Sequence, residues 1–322
     1  MLKARSMSGF AWSLLQESAV GFIDHCALRL SAALSYYSVF SLAPLLILCM
    51  GAGAALFGEE AVRGQVSQQL RNYMGLPAAK GVEGMLQGMA LQGGNVFAAV
   101  TGGVVLLLGA SGVFGQLKDA LNTVWGVKAR TGHSILSFVR DRLLSFGIVL
   151  VIGFLLLVSL VVTTLLAGFT AYTRARLPVP DFVWGTANLG ISLAVSTALF
   201  AAIFKILPDV RIPWRTVAVG SGLTALLFEL GKFGLAFYLG RQSTATAFGA
   251  AGSVVLVLLW VYYAAAILLF GAEITRAYAH LRGTEIPPAR FAEPISAIAR
   301  KQEGMEPRRE EIPPNPASRS IR

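Results

Sequence analysis

Glu229 and Lys232 are the residues of this sequence whose types and spacing point most directly to chemistry. They lie three positions apart and interrupt the stretch 216–240, which contains no other charged residue. In a helix this spacing puts both side chains on one face, where they can form an ion pair. A lone charge at the centre of a membrane-spanning helix costs at least about 2.5 to 3.5 kcal/mol. The pair is therefore interpreted as a site for a polar or charged substrate, a coupling proton or a gate, or alternatively as an ion pair that fixes helix packing.

A second group of polar residues occupies the first long apolar stretch. It consists of serines at spacings of four, three and three, which share one helix face: Ser31, Ser35, Ser38 and Ser41. Pro44 follows them near the middle of the stretch. Because proline removes a backbone hydrogen bond and frees a carbonyl, the helix is expected to bend or break near Ser41. This face is interpreted as the polar wall of a cavity, or alternatively as serines packed against neighbouring helices beside a structural kink.

Two further polar sites lie where apolar stretches end. Gln116 continues a row of small residues at helical spacing, Gly109 and Gly112, and is assigned to the same candidate cavity. Glu273 and Arg276 come directly after the last apolar stretch and repeat the spacing of three. We expect them to form an ion pair at the membrane boundary, close to water.

These residues must be positioned by membrane-spanning helices. Only 14% of the residues are charged, 55% are hydrophobic and the mean hydropathy is +0.65, whereas about 25% charged is usual in soluble domains. About 20 apolar residues suffice to cross about 30 Å of hydrocarbon. The sequence therefore predicts an all-α, polytopic membrane protein with a six-helix domain over residues 30–282. The predicted spans cover about 31–57, 95–117, 143–172, 182–204, 216–240 and 248–272.

The basic residues predict the orientation of these helices. Of the 27 lysines and arginines, 20 lie in the termini and the even-numbered loops, six lie in the odd-numbered loops, and Lys232 is the remaining one. Cytoplasmic loops carry the excess of Lys and Arg, so both termini are predicted to be cytoplasmic. The net charge of +10 is then explained by topology and by anionic lipid headgroups. Membrane lipids are the expected partners, and nucleic acid is not.

Two polar segments flank the predicted membrane domain. Residues 1–29 mix apolar and polar side chains in a way that suits an amphipathic helix at the cytoplasmic interface, or alternatively a helix packed under the bundle. Residues 283–322 contain seven of the 13 prolines, mixed charge and few apolar residues. Such a segment buries too little surface to fold, so it is predicted to be a disordered cytoplasmic tail.

No enzymatic activity is predicted from these residues. The three histidines, His25, His133 and His280, fall on separate segments without the spacing that holds zinc. The sequence contains neither a nucleophile-elbow motif nor a phosphate-cradling P-loop. We therefore expect no catalytic residues, no metal and no cofactor.

Several motifs in order along the chain carry a family resemblance. They are residues 32–38 (AALSYYS) with Ser41 and 43–45 (APL), Leu207-Pro208, Pro213-Trp214, 220–238, Phe248-Gly249, 259–263 (LWVYY) and 271–273 (GAE). Over residues 10–280 the chain resembles the YihY/BrkB family of bacterial inner-membrane proteins, and departs from it at Phe248, where the family often has tyrosine. The resemblance implies six helices with cytoplasmic termini. Family members have also been labelled ribonuclease BN, a label that the missing catalytic residues disfavour.

The sequence as a whole predicts a non-enzymatic, multi-pass protein of the bacterial inner membrane. The preferred interpretation is a transporter or lipid-handling protein of the cell envelope, with a polar cavity between the serine face and the Glu229–Lys232 pair. Its substrate, a small molecule, an ion or a lipid, is not identified by the sequence, which is also compatible with an oligomer. The alternatives are a structural scaffold whose tail recruits partners, and a tRNA-processing ribonuclease BN.

Overall fold

The computed structural model describes five continuous segments, 7–39, 112–129, 181–241, 252–289 and 292–296, with short pieces within 67–84 and at 299–300 and 304–305. The helices are α1 (Met7–Asp24), α2 (27–39), α3 (112–124), α4 (Asp181–Ile206), α5 (Trp214–Arg241) and α6 (Gly252–Leu281). Two short strands, β1 (Val127–Ala129) and β2 (Ala292–Pro294), form one antiparallel sheet. The described residues are thus mostly helical, as predicted, with one small two-stranded sheet beside the helices.

Two helices of the described segments are long and apolar enough to cross a membrane, judged by length and composition. They are Leu189–Ile206 within α4, with a mean hydropathy of 2.0, and Val254–Leu281 within α6, with a mean hydropathy of 2.5. Helix α5 coincides with the span predicted at 216–240, which the ion pair makes less apolar. The predicted span 143–172 and most of 31–57 and 95–117 lie outside the described residues, so the number of six spans stays a prediction.

Helices α5 and α6 pack through a reciprocal contact between glycine and threonine. Thr224 Oγ1 donates to Gly220 O and Thr275 Oγ1 donates to Gly271 O, each at 2.7 Å. A Cβ atom at Gly220 would overlap the side chain of Thr275, and one at Gly271 would overlap that of Thr224. Each threonine therefore fills the space above the glycine of the facing helix. Small residues at such interfaces let helix backbones approach closely.

Helix α1 packs one face against α6 and leaves the other face exposed. The packed face includes the ring pairs Phe10–Tyr278 and Phe22–Phe270, with centroids 6.2 and 5.6 Å apart. On the exposed face, Ile23 has 74% of its surface accessible. The chain then turns at Cys26, which has a φ of 52°, and continues into α2.

The segment after α6 is ordered by backbone pairing over part of its length. Strand β2 pairs with β1 in the register Lys128↔Glu293, and a separate bridge joins Val210 to Pro288. Met305 is buried. The described residues between 284 and 305 thus include paired strand residues and buried side chains, and the disorder predicted for the rest of 283–322 lies outside the described residues. Composition alone misses this order because strand pairing satisfies backbone groups whatever the side chains are.

Asn122 ties α3 to the loop between α4 and α5. Its side-chain amide donates to Asp209 Oδ2 at 3.0 Å, and its carbonyl oxygen accepts from Asp209 N at 2.8 Å. Lys118 Nζ adds an ion pair with Asp209 Oδ2 at 3.0 Å. Asn122 is 3% exposed, and Asp209 is half-buried, so the loop is held at this point by partly buried hydrogen bonds.

Asn122→Ala is expected to lower the free energy of unfolding by about 1–3 kcal/mol, because it removes two hydrogen bonds that contribute about 0.5–1.5 kcal/mol each. Thermal unfolding of the detergent-solubilised protein measures the effect. Thr123→Ala is the matched control, since the Thr123 hydroxyl bonds only within its own helix, to Asp119 O. Equal unfolding midpoints for the two variants would contradict the assigned role.

Candidate functional site

The ion pair between Glu229 and Lys232 lies at the contact of α4 with α5. Lys232 Nζ is 2.8 Å from Glu229 Oε2, and the two side chains are 17% and 7% exposed. Ser192 on α4 donates its hydroxyl hydrogen to the other carboxylate oxygen, Glu229 Oε1, at 2.8 Å. The carboxylate thus has an ammonium on one side and a hydroxyl from the neighbouring helix on the other.

The surroundings of this pair are aromatic and apolar. The ammonium of Lys232 lies 5.9 Å from the ring centroid of Phe228, a cation–π distance. Gly231, one position before Lys232, faces α6, where a Cβ atom would come within 2.7 Å of Tyr263 Oη and Ile267 Cδ1. The charged groups therefore lie largely shielded from solvent at the contact of α4 with α5, where each interacts more strongly with an ion that reaches it than it would in water.

This arrangement can exchange partners. The Glu229 carboxylate can accept a cation, a proton or an ammonium group in place of Lys232, and Lys232 can accept an anion in place of Glu229. Either exchange separates the two opposite charges of the pair, which couples binding of one ion to the state of the other partner. Such coupling is the chemistry that ion pathways and substrate sites in membranes use.

The described part of the predicted serine face turns its donors back onto helix α2. Ser31 Oγ donates to Ala27 O at 2.8 Å, and Ser35 Oγ donates to Ala32 O at 2.9 Å. Both serines are buried, and Ser38 is half-buried. Ser41 and Pro44 lie outside the described residues.

Of the residues predicted for the cavity, the structure brings Glu229 and Lys232 into direct contact and adds Ser192 to them. Gln116 is half-buried on α3. The assignment of the serine face and Gln116 to one cavity with this pair stays a prediction.

Glu273 and Arg276 form a second charged cluster, together with His25. Glu273 is fully buried, and its Oε2 accepts from Arg276 Nε at 3.2 Å. His25, which is 3% exposed, places Nδ1 2.6 Å from Glu273 Oε1. A carboxylate only accepts, so the Nδ1–H of His25 donates. Gly21 makes the space for this cluster, because a Cβ atom there would overlap Glu273 Oε2.

This second cluster differs from the boundary ion pair expected near water. The Glu273 side chain has no accessible surface, since α1 covers it and His25 supplies a second partner. Sequence reasoning missed His25 because 248 positions separate it from Glu273. It missed Ser192 for the same reason, although a serine in an apolar span is a detectable polar signal.

A metal site would need several ligands close together. Within the described segments, no three side chains among His, Cys, Asp and Glu come close enough to hold a metal ion. The ionisable groups that the structure brings together there are instead ion pairs, each with its own hydrogen-bond partners.

Comparison with known proteins identifies relatives over most of the chain. The sequence profile of the family described as virulence factor BrkB matches residues 19–295. A UPF0761 membrane protein of Saccharophagus degradans is 28% identical over 281 residues, covering 86% of this chain and 62% of the relative. Another of Paraburkholderia xenovorans is 30% identical over 222 residues, covering 68% of this chain and 46% of the relative. No solved structure matches.

The chain spans about half to three fifths of the length of these curated relatives. The two helices of membrane-spanning length among its described residues agree with a membrane protein of this kind. The profile match covers well over half of the chain and confirms the resemblance read from its motifs. The chain belongs to the YihY/BrkB family of membrane proteins.

Proposed function

We propose that this protein is a multi-pass transporter or lipid-handling protein of the bacterial inner membrane, with the Glu229–Lys232 pair on the route of its substrate. The observation that carries the proposal is the burial of this pair, with Ser192 as a third polar group, between helices of the membrane domain. Ionisable residues at such positions are rare and mark substrate or ion pathways. The function proposed is non-enzymatic, and its partners are membrane lipids and the transported molecule.

A structural role alone gives a weak reason for this pair. Buried ion pairs can often be replaced by apolar residues of similar volume without loss of stability. Helices α4 and α5 already pack through apolar contacts that include the ring pair Phe200–Phe228, with centroids 5.6 Å apart. Charges that are not required for packing are better explained by the exchange of ions at Glu229 and Lys232.

The proposal predicts that flux depends on both charges. Purified protein in liposomes should move labelled phospholipid or small ions, and Glu229→Gln and Lys232→Met should each abolish that movement. The matched controls are Glu293→Gln and Lys128→Met. These two residues also form an ion pair, with Lys128 Nζ 3.4 Å from Glu293 Oε1, but their side chains are 40–45% exposed. Both control variants are expected to retain wild-type flux.

Two results would overturn this proposal. Wild-type flux in the double variant Glu229→Gln/Lys232→Met would show that the pair acts only in packing. No flux from the wild-type protein across a broad panel of lipids and ions would favour the scaffold interpretation. Folding of each variant is checked by its elution as a monodisperse peak before the flux is measured.

A further inference from the structure

An open groove of about 480 Å³ runs between α4 and α5. The residues that line it include Leu193 and five with the smallest side chains: Gly190, Ala194, Ala198, Ala201 and Ala218. Trp214, the first residue of α5, stands at one end and is 65% exposed. Because a void within a bilayer loses all packing contacts on one side, such a groove must be filled by lipid or protein.

The lining is apolar even where its residues carry hydroxyl groups. Thr197 Oγ1 donates to Leu193 O at 2.7 Å, and Ser221 Oγ donates to Ala218 O at 3.2 Å. Both donors are thus used within their own helices. The groove therefore presents a hydrocarbon-like surface to its occupant and offers water little to bind.

The groove has the length of one bilayer leaflet. From Gly190 to Ala201 the helix rises by about 16 Å at about 1.5 Å per residue, and half of a hydrocarbon core of about 30 Å is about 15 Å. Its Trp214 end adjoins the loop 207–213, which the distribution of basic residues assigns to the cytoplasm. Its other end, at Gly190, lies two positions before Ser192, the residue that donates to Glu229.

The cytoplasmic end of the groove is aromatic and basic. Lys205 Nζ lies 5.4 Å from the ring centroid of Trp214. Arg211 and Arg215, on either side of Trp214 in the sequence, are exposed. Tryptophan is favoured at the level of lipid headgroups, and basic residues near that surface attract anionic lipids. The charge of this end therefore complements a phosphate-bearing headgroup.

We propose that the groove between α4 and α5 binds an anionic phospholipid of the cytoplasmic leaflet. One acyl chain lies along the small residues from Ala201 to Gly190, and the headgroup phosphate lies at Trp214, Arg211 and Arg215. This inference goes beyond the proposed function, because the groove holds lipid whether or not any substrate moves past Glu229. Its test therefore measures binding, and the flux assay is separate from it.

The test uses the full-length protein in nanodiscs with a phosphatidylglycerol that carries a diazirine on its acyl chain. After photolysis, peptide mass spectrometry is expected to place the label on residues 190–201. Unlabelled phosphatidylglycerol should displace it more effectively than phosphatidylcholine. The double variant Arg211→Gln/Arg215→Gln should lower this preference about fivefold for each arginine removed, whereas Lys128→Gln, at an exposed basic residue, should not change it.

Filling the groove provides the second arm. Ala198→Leu should remove most of the label from α4, while Leu226→Phe, which enlarges an exposed side chain of α5 outside the groove, should leave it in place. Unchanged labelling in Ala198→Leu would overturn the proposal. Light scattering measures the oligomeric state of the same variant. A change of oligomeric state in Ala198→Leu without loss of label would also overturn the proposal, because the groove would then bind a helix of a second copy. Equal displacement by the two unlabelled lipids would reject the anionic headgroup site.

Discussion

Glu273→Gln is expected to lower the free energy of unfolding by about 1.5–3 kcal/mol, the usual contribution of a hydrogen bond to a charged group, since the Arg276 side chain is 34% exposed and its charge can be solvated. Glu273 is fully buried and receives hydrogen bonds from Arg276 and His25. Glutamine has nearly the same shape but carries no charge, so Arg276 loses its ion-pair partner. The amide nitrogen of glutamine also takes the place of one carboxylate oxygen. Because this nitrogen cannot accept, one of the two donors, His25 or Arg276, loses its hydrogen bond.

The measurement is thermal or denaturant unfolding of the purified protein in detergent. Glu293→Gln is the matched control, because it makes the same chemical change in an exposed ion pair with Lys128, where about 0–1 kcal/mol is expected. A further variant, His25→Phe, keeps the ring volume and removes one donor, and it should fall between the two. Equal stability of Glu273→Gln and Glu293→Gln would show that α1 does not seal this cluster in solution.

Gly220→Val and Gly271→Val are expected to prevent close packing of α5 against α6. The new Cβ atom would overlap Thr275 in the first variant and Thr224 in the second. Overpacking of this kind costs about 1–3 kcal/mol and occasionally more, and here the obstructing threonine is itself bonded to its own backbone. Little monodisperse protein should be recovered, as measured by fluorescence-detected size-exclusion chromatography.

The same helix supplies the control for this prediction. A Cβ atom at Gly222 meets no heavy atom of another part of the described structure within 4 Å, so Gly222→Val should be recovered at a near wild-type yield. The double variant Gly220→Ala/Thr275→Gly should be recovered at a higher yield than Gly220→Val. Removal of the Thr275 side chain makes space on α6 for the new Cβ atom at position 220 of α5. A wild-type yield from Gly220→Val would mean that the two helices are further apart than the structure indicates.

These predictions converge on α6. Within about one turn of this helix, Gly271 and Thr275 contact α5, and Glu273 between them accepts a hydrogen bond from His25. One to two turns closer to the start of α6, Tyr263 and Ile267 contact Gly231 of α5, the residue before Lys232. Helix α6 thus supports both charged clusters, and changes at its interface with α5 are expected to disturb flux and stability together.

The sequence by itself determined the class of protein and the local geometry of each ion pair. Apolar stretches and the family motifs were sufficient to predict a helical membrane protein of the YihY/BrkB family, because hydropathy and helical period depend only on residues near one another in the chain. The spacing of three brings Glu229 to Lys232 and Glu273 to Arg276 for the same reason. Helix geometry alone makes such pairs neighbours.

Only the tertiary structure decided which distant groups complete these sites. His25 reaches Glu273 across 248 positions, and Ser192 reaches Glu229 across 37. Strand β2 pairs with the backbone of β1, which the composition of residues 283–322 does not indicate. These contacts depend on how whole helices pack, and packing is set by the summed complementarity of many side chains, so no short stretch of sequence carries the information.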